Sequence, residues 1–222
     1  MTLQTQAFRF LIVALLVAHC LFGLNAHSTE HKQAAFGLAL IDVETTGLDA
    51  DVHEMIDIGA VYVDTEGQEL GRFFIRINPA HPERAQAGAK AVNGYSEERW
   101  RSLGAVSPAE ALRAFEEFHR RTAADRTMIF TAFNVGFDQA FVSRWLRREG
   151  RSFRDWYFYQ VLDLPSMAWG QGIRELTGSK IAEALGVPDE TRDPLKHTGE
   201  TGADFNLAIY RELLRRSKTK AR

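Results

Sequence analysis

Residues 37–47 read Gly-Leu-Ala-Leu-Ile-Asp-Val-Glu-Thr-Thr-Gly, and this stretch decides the fold. Gly37–Glu44 is apolar enough to be a buried central strand, and Thr45-Thr46-Gly47 stops it. Residues two apart on a strand share a face, so Asp42 and Glu44 project together while Val43 points the other way. Two acids side by side at the end of the most apolar strand repel one another and are desolvated. A divalent cation offsets that cost most directly, and oxygen-only ligands suit Mg²⁺ or Mn²⁺. A polar strand end arising by chance is the competing explanation, so the pair does not decide the chemistry alone.

Working outward, Ile56–Asp64 alternates Ile56, Ile58, Ala60 and Tyr62 on one face as a second strand. A turn at residues 65–68 leads into a third strand, Leu70–Ile77, ended by Asn78-Pro79. After a loop, Ser107-Pro108-Ala109-Glu110 starts a helix over Pro108–Arg121, with Pro in the first turn and Glu at the third position. Met128–Phe133 is a fourth strand, followed by a helix over Phe137–Glu149, and Phe158–Leu162 is a fifth strand. Helices over Pro165–Gly170, Ser179–Leu185 and Ala203–Arg216 close the chain. Three strands joined by tight turns, then strand–helix alternation, predict an α/β fold. Its five-stranded mixed sheet is antiparallel in strands 1–3, parallel in strands 4–5, and covered by helices.

The 222 residues suit one domain with a short appendage, and the globular composition excludes a disordered chain and a polytopic membrane protein. A net charge of −2 hides an asymmetry: residues 211–222 hold six Arg/Lys against one Glu, +5, which leaves −7 on residues 1–210. An acidic body is not a generic electrostatic nucleic-acid binder. The single Cys20 excludes an intramolecular disulfide and a cysteine-clustered zinc site. Residues 10–24 form an apolar run of signal-peptide length, and residues 7–26 reach span length only by including Arg9, His19 and Asn25. Export signal, N-terminal anchor and a start assigned too far upstream all stay open. The protein is expected to be cytoplasmic in the last case and exported or membrane-anchored otherwise. Residues 1–35 are read as this segment plus a polar linker, 36–216 as the domain, and 217–222 as a basic tail.

Further acids fall near the same sheet edge. Asp138 follows the fourth strand in Asn134-Val135-Gly136-Phe137-Asp138, and Asp204 lies near the start of the last helix, seven residues after His197. Helix capping or a favourable dipole contact would explain each acid singly. Together, Asp42-Val43-Glu44-Thr45-Thr46-Gly47, the Asn134–Asp138 run and the His–Asp pair resemble the DEDDh family of 3′→5′ exonucleases, which have a ribonuclease H-like fold. Ile56–Val61, Ala91–Ser96 and Lys180–Val187 resemble further family segments in the right order, so the likeness runs through about residues 36–214.

The resemblance implies a phosphodiester hydrolase acting on 3′ ends of single-stranded DNA or RNA with two Mg²⁺ or Mn²⁺ ions. Asp42 would bridge the ions, Glu44 and Asp204 would complete one site, Asp138 would support the other, and His197 would be the general base. Thr45, Thr46, Gly47, Leu48 and Asn134 would meet the terminal nucleotide. Two departures stand out. The family places its last Asp five residues after the His, where this chain has Gly202, so either two residues are inserted and Asp204 is the ligand, or Glu200 substitutes. Phe133 stands where many members have histidine, and it reads as a packing position. The alternatives to the exonuclease are an inactive nucleic-acid-binding domain of the same fold and an internally cutting nuclease. A second copy of the chain or a polymerase are the protein partners considered; membrane contact follows only if residues 7–26 persist as an anchor.

Overall fold

In the computed structural model, which describes residues 35–220, strand β1 (Phe36–Thr45) runs through the middle of a five-stranded sheet. Its neighbours are β2 (Met55–Asp64), antiparallel, and β4 (Thr127–Ala132), parallel. Strand β3 (Glu69–Arg76) lies outside β2 and the two-residue β5 (Leu162–Asp163) outside β4, giving the order β3-β2-β1-β4-β5. The mixed sheet predicted from the sequence is the one observed. The hydrophobic segment at residues 1–34 lies outside the described residues. Among those described, no helix is long and apolar enough to cross a membrane.

The two-residue period of β1 divides the interior into two cores. Ala39, Ile41 and Val43 enter a core with Leu112 and Phe115 of α3 (Pro108–Ala123) and Val142 and Leu146 of α4 (Val135–Arg148). Leu38 and Leu40 enter the other, with Leu164 of α5 (Leu164–Gly170), Ile181 of α6 (Gly178–Leu185) and Ile209 of α7 (Gly199–Lys220). Asp42 and Glu44 continue the Leu38–Leu40 row, so they face the side covered by α7.

Helix α7 meets the sheet through backbone. A Cβ at Gly59 of β2 would run into the carbonyl of Gly199, and one at Gly199 would stand 2.6 Å from both the Asp42 carbonyl oxygen and the Gly59 nitrogen. Only hydrogen fits at either position. The helix spans 22 residues, about 33 Å at 1.5 Å per residue, and its far end pairs Arg215 and Arg216 with Glu212 and Lys218 with Glu66. Residues 217–220 therefore continue the helix rather than forming a separate tail, and they lie at the end away from Asp42.

Two other expectations are corrected. The fifth strand is not Phe158–Leu162 but Leu162–Asp163. Consecutive Trp156 and Tyr157 are both buried in the core, which breaks strand alternation and bends the chain before it reaches the sheet. The loop before α3 contains two short helices, α1 (Ala87–Asn93) and α2 (Glu97–Ser102), the second capped by Ser96 and anchored by buried Trp100, which donates to the Ile56 carbonyl at 2.7 Å. Two histidines are packed as well: His53 is buried in the turn at Asp49, and His119 bonds the Tyr62 hydroxyl at 2.8 Å.

Candidate active site

Parallel β1 and β4 end at the same edge of the sheet, and the acids gather there. Asp42 is half-buried at the cleft, and burial followed by the charges of Asp138, Glu190, Glu44 and Asp57 holds its carboxyl well above the usual carboxylate range. Asp138, in the first turn of α4, accepts the Val43 N–H at 3.1 Å, which ties α4 to the strand end; burial raises its carboxyl as well. Glu44 is buried and accepts from Asn93 Nδ2 at 3.2 Å, while the same amide donates to the Thr45 carbonyl at 3.0 Å. Asp57 faces Glu44 across the β1–β2 ladder and accepts the Gly199 N–H at 2.9 Å. Burial pushes it to about 7, and its Oδ2 has no hydrogen-bond partner.

The remaining charged groups come from the irregular segment 187–198. His197 Nε2 stands 3.0 Å from Glu44 Oε1, and its Nδ1 is 2.9 Å from the Thr191 carbonyl oxygen. The hydrogen bond to Glu44 raises its pKa to about 9, which favours the imidazolium at neutral pH. Glu190 Oε1 lies 3.5 Å from His197 Nδ1, too far for a hydrogen bond. Arg99 braces this segment, donating to the carbonyls of Asn93 and Gly94 at 3.1 and 3.0 Å and to that of Leu195 at 2.9 Å. Gly94 has φ +62°, and a Cβ there would stand 2.7 Å from the Pro194 carbonyl oxygen, so glycine serves both the turn and the close approach.

A cleft of about 380 Å³ and an adjoining one of about 230 Å³ share Asp42, Phe133, Glu190 and His197 in their walls, and Glu44 and Asp138 line the smaller one. Thr45 and Leu48 border the smaller cavity, and Leu48 is 79% exposed. Thr46, Gly47 and Asn134 are not among the described residues lining either cavity. Thr46 Oγ1 instead accepts the Glu54 N–H at 3.0 Å, Gly47 packs on the His53 ring, and Asn134 is exposed at φ 59°. Asp204 is a correction. It is half exposed and paired with Arg72 at 3.2 Å, on a surface hollow that it shares with Glu200. Neither acid lines the cavities around Asp42. At Gly202 a Cβ would run into the Asp42 carboxylate, so no side chain separates α7 from that acid.

The family described as Exonuclease matches residues 39–201. The chain belongs to that family, in its DEDDh 3′→5′ branch. As an exonuclease of this kind it is a hydrolase with a ribonuclease H-like fold. Ribonuclease T of Shewanella sp. (strain W3-18-1) is 27% identical over 194 residues, covering 84% of this exonuclease and 86% of that protein. A PolC-type DNA polymerase III of Thermotoga petrophila is 27% identical over 123 residues, 55% of this chain and only 8% of the polymerase. Exonuclease I of E. coli, solved in complex with a dT13 oligonucleotide, superposes with a TM-score of 0.68 at 16% identity. That likeness concerns the fold. It covers 85% of this exonuclease and 43% of the Exonuclease I chain.

The exonuclease's donor set is oxygen-only apart from one imidazole, which suits hard divalent cations. The mutual repulsion of Asp42 and Asp138 with their neighbours is the condition such cations relieve. As the side chains stand, no three His, Cys, Asp or Glu groups among the described residues are arranged to hold one ion. Each acid faces a different partner: Asp42 faces Gly202, Glu44 faces His197 and Asn93, and Asp138 faces the Val43 amide. The residues thus fit divalent cations in chemistry. Sequence reasoning had no role for Asn93 or Asp57, although both lie in segments that carry the family likeness. Glu190 gave no signal, because an acid in an irregular loop has no period to mark it.

Proposed function

We propose that the protein removes nucleotides one at a time from 3′ ends of single-stranded DNA or RNA, with divalent cations held by Asp42, Glu44 and Asp138 and with His197 as general base. The observation that carries this reading is the convergence of those three acids and His197 on one cleft. Bound there, Mg²⁺ or Mn²⁺, two per site, supplies Lewis-acid activation of water and stabilisation of the leaving oxygen.

The protein's own groups do the rest. The Thr191 carbonyl keeps a proton on His197 Nδ1, so Nε2 is the nitrogen that exchanges protons with an attacking water. For that step the imidazole must be neutral, and its present bond to Glu44 opposes this. Glu44 is also a carboxylate that would hold a cation, and in that role it would no longer hold the imidazolium. The Val43 amide fixes Asp138, and Asn93 fixes the strand end that bears Glu44. Leu48 and Phe133 give the smaller cavity apolar surface on which an unpaired base can pack whatever its identity, as an end-trimming enzyme requires.

The test is the full chain with Mg²⁺ on a 5′-labelled single strand. Products shortened stepwise from the 3′ end, with released mononucleotides, are expected, and Asp42→Asn abolishes them. Internal cuts would favour an endonuclease, and binding without cleavage an inactive domain of this fold.

A further inference from the structure

Glu190 lies on the irregular segment between α6 and α7, close to the acids of the cleft. The residue lines both cavities beside Asp42 and His197, and its Oε1 is buried without a hydrogen-bond partner. The His197 proton nearest to it is already given to the Thr191 carbonyl. Glu190 also lies within electrostatic reach of Asp42, Asp138 and Glu44. On the other wall, helix α7 offers no acid. Gly202 occupies the position five residues after His197, its place beside Asp42 is bare, and Glu200 and Asp204 border the separate Arg72 hollow.

We propose that Glu190 supplies the fourth carboxylate of the metal site, reaching in from the 187–198 segment to replace the acid that α7 lacks at Gly202. The proposal rests on the metal-dependent reading above. It follows from charge as well as placement. Asp42, Glu44 and Asp138 carry three negative charges when ionised, and Glu190 brings the total to the four that two divalent cations neutralise. In oxygen-ligated sites the number of charged ligands sets the affinity. A glutamate on a loop also has the longer side chain needed to span a gap that a helix-borne aspartate would fill at close range.

Mn²⁺ titration of the full chain, read by the EPR signal of free Mn²⁺, tests this without reference to turnover. Glu190→Gln is expected to weaken Mn²⁺ binding about tenfold or more, whereas Glu200→Gln and Asp204→Asn stay within about twofold of the parent. Glu190→Asp keeps the charge and withdraws the carboxylate by one methylene; about threefold weakening is expected, and it serves if the glutamine variant does not fold. Parental Mn²⁺ affinity in either folded variant overturns the proposal. So does equal weakening by Asp204→Asn or Glu200→Gln. A Glu190→Gln protein with parental affinity but a shifted pH profile makes Glu190 a positioning residue for His197, which also overturns it. If the parent itself takes up no Mn²⁺, the metal-dependent reading fails and this proposal falls with it, an outcome distinct from the others.

Discussion

The acids of β1 and α4 and the charged pair of segment 187–198 occupy the same cleft, but they are held by different means. Asp42 and Glu44 ride on a strand hydrogen-bonded on both sides and sandwiched between two cores, and Asp138 is locked to that strand by a backbone amide. Glu190 and His197 sit on irregular chain, placed by Arg99, one carbonyl of Thr191 and the approach of Pro194 to Gly94. One half is fixed by the sheet and is costly to charge. The other is fixed by a few polar contacts and can rearrange. On the proposed reading, a site that accepts cations and then acts on substrate would use both: a rigid wall of negative charge and an adjustable partner.

The largest test of this contrast lies in the rigid half. Asp138→Asn is expected to cut nucleotide release by about 10²–10³. The same change should leave the chelated protein a few °C more stable at pH 8, because an amide can still accept the Val43 N–H without the burial cost of a charge. Loss of activity with loss of stability would place Asp138 in the scaffold alone.

Chelation exposes the same strain. Asp57 titrates at about 7 in the folded protein against the usual 3.8, so its contribution to stability is highest below pH 4 and falls as pH rises through 7. His197 titrates at about 9 against the usual 6.5, so the stabilisation by its cation is complete below pH 6.5 and is lost as pH rises through 9. Both act in one direction. Without metal, Tm should fall by roughly 10 °C between pH 5 and pH 9, and millimolar Mg²⁺ should restore most of it at the alkaline end. A flat profile in a thermal melt with chelator would show that the acids are not strained.

A smaller effect is expected in the adjustable half. Arg99→Ala removes three hydrogen bonds to carbonyls and should lower kcat about tenfold while Tm drops by only a few °C, since its contact with a core side chain is the guanidinium over the Trp100 ring. A kcat unchanged by this substitution would mean that the segment needs no brace. Smallest of all, Leu48→Ala should raise KM for single strands about fivefold with kcat intact, matching about 1 kcal/mol of lost apolar contact at the cleft rim.

The same division explains what could be read from the sequence. Strand β1 was legible because four apolar residues followed by Asp-Val-Glu and a Thr-Thr-Gly stop admit few other structures, and period two then put both acids on one face. Asp138 was legible from the glycine turn after β4. Asp204 misled because counting from His197 measures chain length, not direction: two residues past Gly202, a helix has turned by about 200°, and the carboxylate faces Arg72. The fifth strand misled because its aromatic run packs as an irregular corner. Glu190 was invisible because its position depends on where Arg99 and Gly94 hold a loop nearly a hundred residues away.

The bare contact between Gly59 and Gly199 has one more consequence. It sets the distance between the first turn of α7 and the acid-bearing strands by backbone touching backbone, so the cleft has a fixed gauge on that side. Repacking of the two cores leaves this gauge alone, whereas a single methyl at either glycine would wedge the helix outward. What reaches Asp42 is therefore governed, on this wall, by side chains that are absent at Gly59, Gly199 and Gly202.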